Sequence, residues 1–330
     1  MLKKIQTSLS RIGLDWFLGA IILMVLAAYY FPAPGLMQEP ISLEELANYG
    51  VSGIFFFYGL KLSTDKLKQG LSNWKMHIVI QATTFVLFPL LVLLIKPLFT
   101  SAEGETLWLG IFYLAALPST VSSSVVMVSM ANGNIPAAIF NASISSLIGL
   151  FMTPLWVGFF MVADTESFDS LSIIIKLCVQ VLLPLVLGML LNRRLGWFAD
   201  KYKNALKIFD QSVILVIIYT SFCKSFALNL FKGLSLQELV LLMVGLLALF
   251  FIVIALTNAI GKLLGFNRAD NITVMFCGSK KSLVHGTVMS KVLFTQNAMV
   301  GIILLPLMIY HALQLIAASI MAQKFARKTD

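Results

Sequence analysis

The residues of this chain that could do chemistry are concentrated in one stretch, residues 276–286. It carries two adjacent lysines, Lys280 and Lys281, and a histidine, His285, between flanks that are apolar over bilayer-spanning length. An ionisable side chain at membrane depth is costly to maintain, so it indicates a functional site by default. The glycines and serines around the lysines predict, in addition, that a helix breaks here.

A second polar interruption lies in the first half of the chain. Residues 117–125 read Leu-Pro-Ser-Thr-Val-Ser-Ser-Ser-Val, so five hydroxyl groups follow Pro118 within six residues. Proline removes a backbone donor and clashes with the preceding turn, and the hydroxyl groups can satisfy freed backbone groups or bind a ligand. A broken helix offers N–H groups to an anion and carbonyls to a cation. The alternative is that these serines bond only to their own helix or to a neighbour.

The two lysines have no obvious counter-ion. No Asp or Glu lies well inside any apolar span, so Lys280 and Lys281 must reach water, lose their protons or face an anionic ligand. They lie too deep in their span to reach water easily, and we expect Lys280 to be the charge partner of an anion or the carrier of a proton. Lys176 and Lys291 are nearer span ends, where their side chains should reach the interface.

The composition places the chain among polytopic membrane proteins. Of its 330 residues, 59% are hydrophobic and 12% are charged, with a mean hydropathy of +0.91. A soluble domain is about a quarter charged. The net charge of +9 reflects cytoplasmic loops that collect Lys and Arg, and no nucleic-acid partner is expected. The three cysteines show no CxxC spacing, which argues against a disulfide framework or a metal site.

Ten apolar spans are predicted, and the uninterrupted ones should be helices because backbone groups in lipid must be satisfied internally. If the N-terminus is cytoplasmic, Lys and Arg fall mostly on the cytoplasmic side of the membrane, so both termini are expected in the cytoplasm. The chain is expected in the plasma membrane, which in a bacterium is the inner membrane. The basic loop 192–210 suggests a separate interfacial helix. The spans cover about 14–31, 46–63, 76–98, 107–131, 135–161, 170–191, 211–229, 236–262, 270–293 and 298–322.

The spans form a single transmembrane domain, residues 1–330, that divides into two halves of five, residues 11–161 and 168–323. Because five is odd, the second half starts from the opposite side of the membrane, which gives the inverted repeat typical of secondary transporters. The interrupted span is the fourth in each half. Paired interruptions of this kind point to a binding site near the bilayer midplane.

The two motifs, residues 115–124 and 276–283, resemble those of the bile acid/sodium symporter superfamily, especially the divergent branch with the seventh human member and uncharacterised bacterial relatives. The resemblance implies an all-α fold of ten transmembrane helices in two inverted five-helix repeats, with discontinuous crossing helices 4 and 9. It implies a panel of spans 1, 2, 6 and 7 and a core of spans 3–5 and 8–10. It also implies alternating access for an organic anion driven by sodium.

The resemblance also suggests ion-coupling residues in the first half of the chain. The family's sodium-binding serine and asparagine fall on Ser123 and Ser124. The hydroxyl groups of the next helix fall on Ser143 and Ser146, and a glutamine of the third span falls on Gln81.

In the second half of the chain the sequence departs from the family pattern. The family's acidic sodium ligand falls on about Phe276, and the glutamine and asparagine that follow it fall on Lys280 and Lys281. The chain thus lacks a carboxylate and carries two cations where the family binds a cation. A lysine ammonium can stand in electrostatically for a bound sodium, which is the only cofactor that the resemblance suggests.

We therefore expect a secondary active transporter, not an enzyme, that moves a small anionic solute across the lipid bilayer with coupling to sodium or protons. The alternatives are a regulatory or channel-like protein that affects cation entry and an intramembrane hydrolase built from Ser279, Lys280 or His285. Neither a GxSxG elbow nor an HExxH motif is present to favour the hydrolase. The predicted substrate-binding residues are Ser119, Thr120, Ser122, Lys280, Lys281, Ser282, His285 and Asn141; the predicted ion-coupling residues are Ser123, Ser124, Ser143, Ser146, Gln81 and Lys280.

Overall fold

The computed structural model describes residues 16–39, 42–61, 73–161, 178–229, 231, 235–294 and 299–327. Within these ranges the chain is all-helical and contains no β-strand, as predicted. A π-helical turn, Thr83–Leu87, joins the helices Trp74–Ala82 and Phe88–Leu94, and another, Cys178–Leu182, leads into the helix Leu183–Lys201. The helices are α1 (Trp16–Tyr30), α2 (Ala33–Leu36), α3 (Leu43–Lys61), α4 (Trp74–Ala82), α5 (Phe88–Leu94), α6 (Ala102–Ala116), α7 (Ser122–Met130), α8 (Ile135–Met161), α9 (Leu183–Lys201), α10 (Lys203–Ala227), α11 (Leu236–Leu263), α12 (Arg268–Ser279), α13 (Leu283–Leu293) and α14 (Val300–Ala326).

Six helical segments of the described chain are long and apolar enough to cross a membrane, and α1 is a shorter apolar helix. The protein is therefore a polytopic membrane protein. The count of ten spans and their inverted repeat remain predictions. The six segments are Trp74–Leu98, Ile135–Phe160, Val179–Lys201, Lys203–Ala227, Leu236–Leu263 and Val300–Ala326.

The basic segment 192–210 does not form a separate interfacial helix. It extends α9 and α10, which meet at the single turn residue Tyr202. Ala199 and Leu206 pack against Leu60 at the end of α3, so these two side chains are covered by protein. Other apolar side chains of the segment stay exposed: Leu195, Trp197, Tyr202 and Ile208.

The helices pack in two groups. In the first group, α3 packs along α9, and α10 packs on α1 and α3. In the second group, α14 packs on α6 and α11, and α12 packs on α11 and α8. Across the boundary, α10 contacts α13 and α14.

Glycines set the close approach of α3 and α9. A Cβ atom at Gly59 would meet the carbonyl oxygen of Leu185, and one at Gly188 would meet the carbonyl oxygen of Phe56. Small residues let membrane helices approach until their backbones touch. The two helices are therefore in direct backbone contact at this point.

An ion-pair cluster crosses the boundary between the two groups. Lys291 on α13 lies with its Nζ 3.3 Å from Glu44 Oε1 on α3, and Lys224 Nζ on α10 lies 3.8 Å from Glu44 Oε2. The Lys291 side chain is only 9% exposed. The expectation that Lys291 reaches the interface was wrong, because Glu44 provides a carboxylate inside the protein.

Replacing Glu44 with Gln should lower the midpoint of thermal unfolding of the purified protein, because Lys291 would stay nearly buried without its carboxylate. We expect a cost of about 1–2 kcal/mol, less than for a fully buried pair, since the Glu44 side chain is 30% exposed. Glu45→Gln, at the adjacent exposed position, is the matched control and should leave the midpoint unchanged. Equal midpoints for the two variants would contradict a stabilising role for the cluster.

Candidate binding site at the two helix breaks

The first break separates α6 from α7. Helix α6 ends at Ala116, Leu117 is extended (φ −73°, ψ 154°), and α7 begins at Ser122. Pro118 explains this end, because the residue before a proline is pushed out of the helical region and the proline itself offers no N–H. The predicted interruption therefore lies where the sequence placed it.

The second break separates α12 from α13. Helix α12 ends at Ser279, Lys280 is extended (φ −93°, ψ 147°), and α13 begins at Leu283. Ser282 caps α13, since its Oγ accepts a hydrogen bond from the backbone N–H of His285 at 3.3 Å. The residues between the helices are buried, which is unusual for a loop and is tolerated only if their backbone groups find partners.

The two breaks contact each other directly. The Ser282 backbone N–H donates to the Pro118 carbonyl at 2.9 Å, and Ser119 Oγ donates to the Cys277 carbonyl at 2.6 Å. Ser124 Oγ donates to the Phe276 carbonyl at 3.5 Å. Predicted site residues from both halves of the sequence are thereby brought together.

Side chains from the surrounding helices bond to further backbone groups that the breaks release. Tyr310 on α14 donates its hydroxyl to the Ser279 carbonyl at 2.6 Å. One turn further along α14, Gln314 accepts from the Lys281 N–H at 2.9 Å and donates to the Lys281 carbonyl at 2.8 Å.

On α8, Thr153 Oγ1 donates to the Ala116 carbonyl at 2.8 Å, and Ser145 Oγ accepts from the Ser119 N–H at 2.9 Å. Sequence reasoning missed Tyr310, Gln314 and Thr153, whose only signal is a lone polar group in an apolar helix.

Lys281 is fully enclosed by protein acceptors. Its Nζ donates to the carbonyl oxygens of Thr84 at 2.7 Å, Ala115 at 2.6 Å and Leu117 at 2.9 Å, and it lies 4.2 Å from the centre of the Phe88 ring. The residue is 0% exposed. Lys281 was predicted to bind substrate, and its ammonium is instead committed to the protein's own backbone in this structure.

Lys280 has a different environment. Its Nζ donates to one acceptor among the described residues, the Ser123 carbonyl at 2.9 Å, and the residue is also 0% exposed. An ammonium group carries three N–H donors, so this lysine retains donors for a ligand. The two adjacent lysines thus differ in what they can still bind.

His285 and Ser282 lie on the side of the break that faces the first helix group. The His285 ring lies against Phe55 and Tyr58 of α3 in edge contacts, with ring centres 6.3 and 5.6 Å apart. Its Nδ1 lies 3.0 Å from Ser282 Oγ. His285 therefore touches both helix groups at once.

A second polar cluster lies on α4 and α8. Gln81 Nε2 donates to the backbone oxygen and to Oδ1 of Asn141, both at 3.2 Å, and Asn141 Nδ2 lies 2.8 Å from His77 Nδ1. Among the described residues, Gln81 Oε1 and His77 Nε2 are buried without a hydrogen-bond partner. The predicted residues Gln81 and Asn141 are thus neighbours, and His77 belongs with them.

The remaining predicted residues bond locally. Ser143 Oγ and Ser146 Oγ donate to carbonyls one turn earlier in α8, those of Ile139 and Ala142, at 2.9 and 3.0 Å. In the first break, Ser123 Oγ donates to Thr120 Oγ1 at 3.3 Å. The Ser122 backbone begins α7, and its side chain lies outside the described part of the structure.

The donor set at the breaks does not fit a resident sodium ion. In the part of the chain that the structure describes, no group of three or more His, Cys, Asp and Glu is placed to hold a metal. The carbonyls of Ala115, Leu117 and Thr84, which would suit a cation, already accept from Lys281.

Comparison with known proteins decides the class of this chain. Residues 15–327 match the SBF-like CPA transporter family. The chain belongs to this family. It is 40% identical over 316 residues to an uncharacterized protein of Pseudomonas aeruginosa, with 96% of this chain and 94% of the relative covered. It is 37% identical over 317 residues to the candidate symporter YfeH of Escherichia coli (strain K12), with 96% and 94% covered.

A vertebrate relative connects the SBF-like family to the resemblance seen in the sequence. Sodium/bile acid cotransporter 7 of Danio rerio is 34% identical over 319 residues, with 95% of this chain and 94% of the relative covered. The predicted relationship to the divergent branch of the bile acid/sodium symporter superfamily is therefore confirmed. Family membership also makes this protein a transporter and not an enzyme, as predicted.

Replacing Gln314 with Leu should destabilise the protein, because it would leave the buried N–H and carbonyl of Lys281 without partners. Unsatisfied buried groups cost about 1–3 kcal/mol each, so a clear drop in the thermal midpoint is expected. Ser143→Ala is the control, since it removes a hydroxyl that bonds only within its own helix. A midpoint for Gln314→Leu as high as that of the control would mean that Gln314 does not hold the break.

Proposed function

We propose that this protein is a secondary active transporter that moves a small anionic organic solute by alternating access, with coupling to sodium or protons. The observation that carries the proposal is Lys280. It is a buried lysine at two contacting helix breaks, and its one described acceptor is the Ser123 carbonyl. Buried cations in membrane helices pair with anions or mark a transport pathway.

The anion would lie beside Lys280 and be contacted by groups of both breaks. Helix α13 begins at this point, so the positive end of its dipole adds to the ammonium charge. Thr120, Ser122, Ser282 and Asn141 are proposed contacts for the polar parts of the solute. Because the solute would lie beside Lys280, its negative charge would offset a cation that has no carboxylate partner among the described residues.

The two packed helix groups support alternating access. We propose that they correspond to a panel and a core in a ten-span inverted repeat, with both termini cytoplasmic in the inner membrane of a bacterium. The breaks belong to the second group, and His285 contacts α3 of the first group across the boundary. A movement of one group against the other would therefore expose the break to each side in turn.

Coupling to an ion is supported by the polar cluster of Gln81, Asn141 and His77. Gln81 Oε1 and His77 Nε2 are buried without hydrogen-bond partners among the described residues, and the lone pairs of the Gln81 oxygen could bond to a coupling cation. Ser123, Ser124, Ser143 and Ser146 complete the proposed ion-coupling set on α7 and α8.

The hydrolase alternative has little geometric support. An activated serine needs a base within hydrogen-bond reach. In the described structure Ser279 Oγ has no hydrogen-bond partner. Ser282 Oγ does lie 3.0 Å from His285 Nδ1, but the same oxygen is already used as the cap of α13. The channel-like alternative rests on no particular contact and becomes an outcome of the test below.

The experiment has two steps. First, the thermal midpoint of the purified protein is measured with a panel of monocarboxylates, dicarboxylates, sulfonates and a bile acid, at several pH values and with or without sodium. Second, the stabilising anion is used in an uptake assay with proteoliposomes. Saturable uptake is expected for a carrier, whereas a current that does not saturate with solute would indicate a channel.

Replacing Lys280 with Met should abolish both the anion-dependent stabilisation and the uptake, because it removes the charge that faces the solute. Lys207→Met, at an exposed position on α10, is the matched control and should preserve both. If Lys280→Met takes up the anion at the wild-type rate, the proposed site is wrong.

A further inference from the structure

Prolines free two of the three carbonyls around Lys281 from helical hydrogen bonds, and the third, that of Leu117, lies in the extended segment between α6 and α7. In the π-helical turn Thr83–Leu87, the Phe88 N–H bonds to the Thr83 carbonyl, and the next residue, Pro89, has no N–H to offer to Thr84. At the first break, Pro118 ends α6, and the Ser119 N–H that would bond to the Ala115 carbonyl donates to Ser145 instead. Two prolines therefore create one cluster of unsatisfied backbone acceptors.

The number of acceptors favours the charged form of Lys281. Three carbonyl oxygens lie 2.6–2.9 Å from its Nζ, and three hydrogen bonds need three N–H donors. An ammonium group has three, and a neutral amine has two. The site favours a cation for two further reasons: the C-terminal end of α6 carries the negative end of a helix dipole, and the Phe88 ring lies 4.2 Å away.

We infer that the Lys281 ammonium is a tethered cation that occupies a carbonyl site which would otherwise take a small dissociable cation. The covalent tether makes occupancy of this site permanent. What this inference implies for ion coupling rests on the proposed function. The wild-type carrier would need no sodium at this break, and Lys280 would be the lysine that binds the exchangeable ligand.

The test compares two variants that remove the ammonium in different ways. Lys281→Ala leaves space between the three carbonyls, whereas Lys281→Met fills that space with an apolar chain of similar length. The thermal midpoints of the wild type and both variants are measured in sodium, potassium, methylammonium and N-methylglucamine chlorides at equal ionic strength. The large N-methylglucamine cation is the reference that cannot enter.

We expect the wild type to give the same midpoint in methylammonium as in N-methylglucamine, because the tethered ammonium already fills the carbonyl site. A response to sodium alone would report the proposed coupling ion at another site. Lys281→Ala should be destabilised in N-methylglucamine and should regain several degrees in methylammonium or sodium, because these cations can bond to the exposed carbonyls. Lys281→Met should stay destabilised in every salt. This pattern would show that the site accepts a cation and that the lysine normally fills it.

Two results would overturn the inference: a methylammonium-dependent rise in the wild-type midpoint, or a Lys281→Ala midpoint that is the same in all four salts. If Lys281→Ala does not fold, the wild-type measurement in methylammonium still decides. None of these measurements needs a solute. A wild type that is indifferent to methylammonium and also transports no anion would refute the proposed function and leave the tethered cation intact.

Discussion

The structure depends on how buried backbone groups are satisfied where two helices stop inside the protein. A break exposes carbonyls and N–H groups, and each would be costly to bury without a partner in a place that water does not reach. Here the partners are an ammonium group, three serines, a threonine, a tyrosine and a glutamine, drawn from both breaks and from α8 and α14. The breaks are therefore not loose loops but densely bonded segments.

This bonding separates the roles of two adjacent lysines. Lys281 connects the second break to the C-terminal end of α6 and to the π-helical turn after α4. Within the described ranges, Lys280 bonds to a single acceptor, the Ser123 carbonyl. Successive residues in an extended segment point to opposite sides, so one cation can stabilise the fold while its neighbour faces the place where a solute would bind.

Much of this site could be predicted from the sequence. Pro118 and the glycine- and serine-rich stretch near Lys280 fixed both breaks, because proline and buried lysines act locally and leave a clear pattern. The partners of the breaks could not be predicted in the same way. Gln314 and Tyr310 are single polar residues in an apolar helix, and only packing shows which backbone groups they reach. Lys291 was misjudged for the same reason, since Glu44 is distant in sequence.

The glycine contact between α3 and α9 has a consequence for mechanics. With backbone against backbone at Gly59 and Gly188, there is no layer of side chains between the two helices that could slide or change rotamer. Helices α3 and α9 should therefore move together as one rigid unit during any rearrangement. Displacement is then directed to the contacts that α3 makes with the second group, those of Phe55 and Tyr58 with His285 and of Glu44 with Lys291.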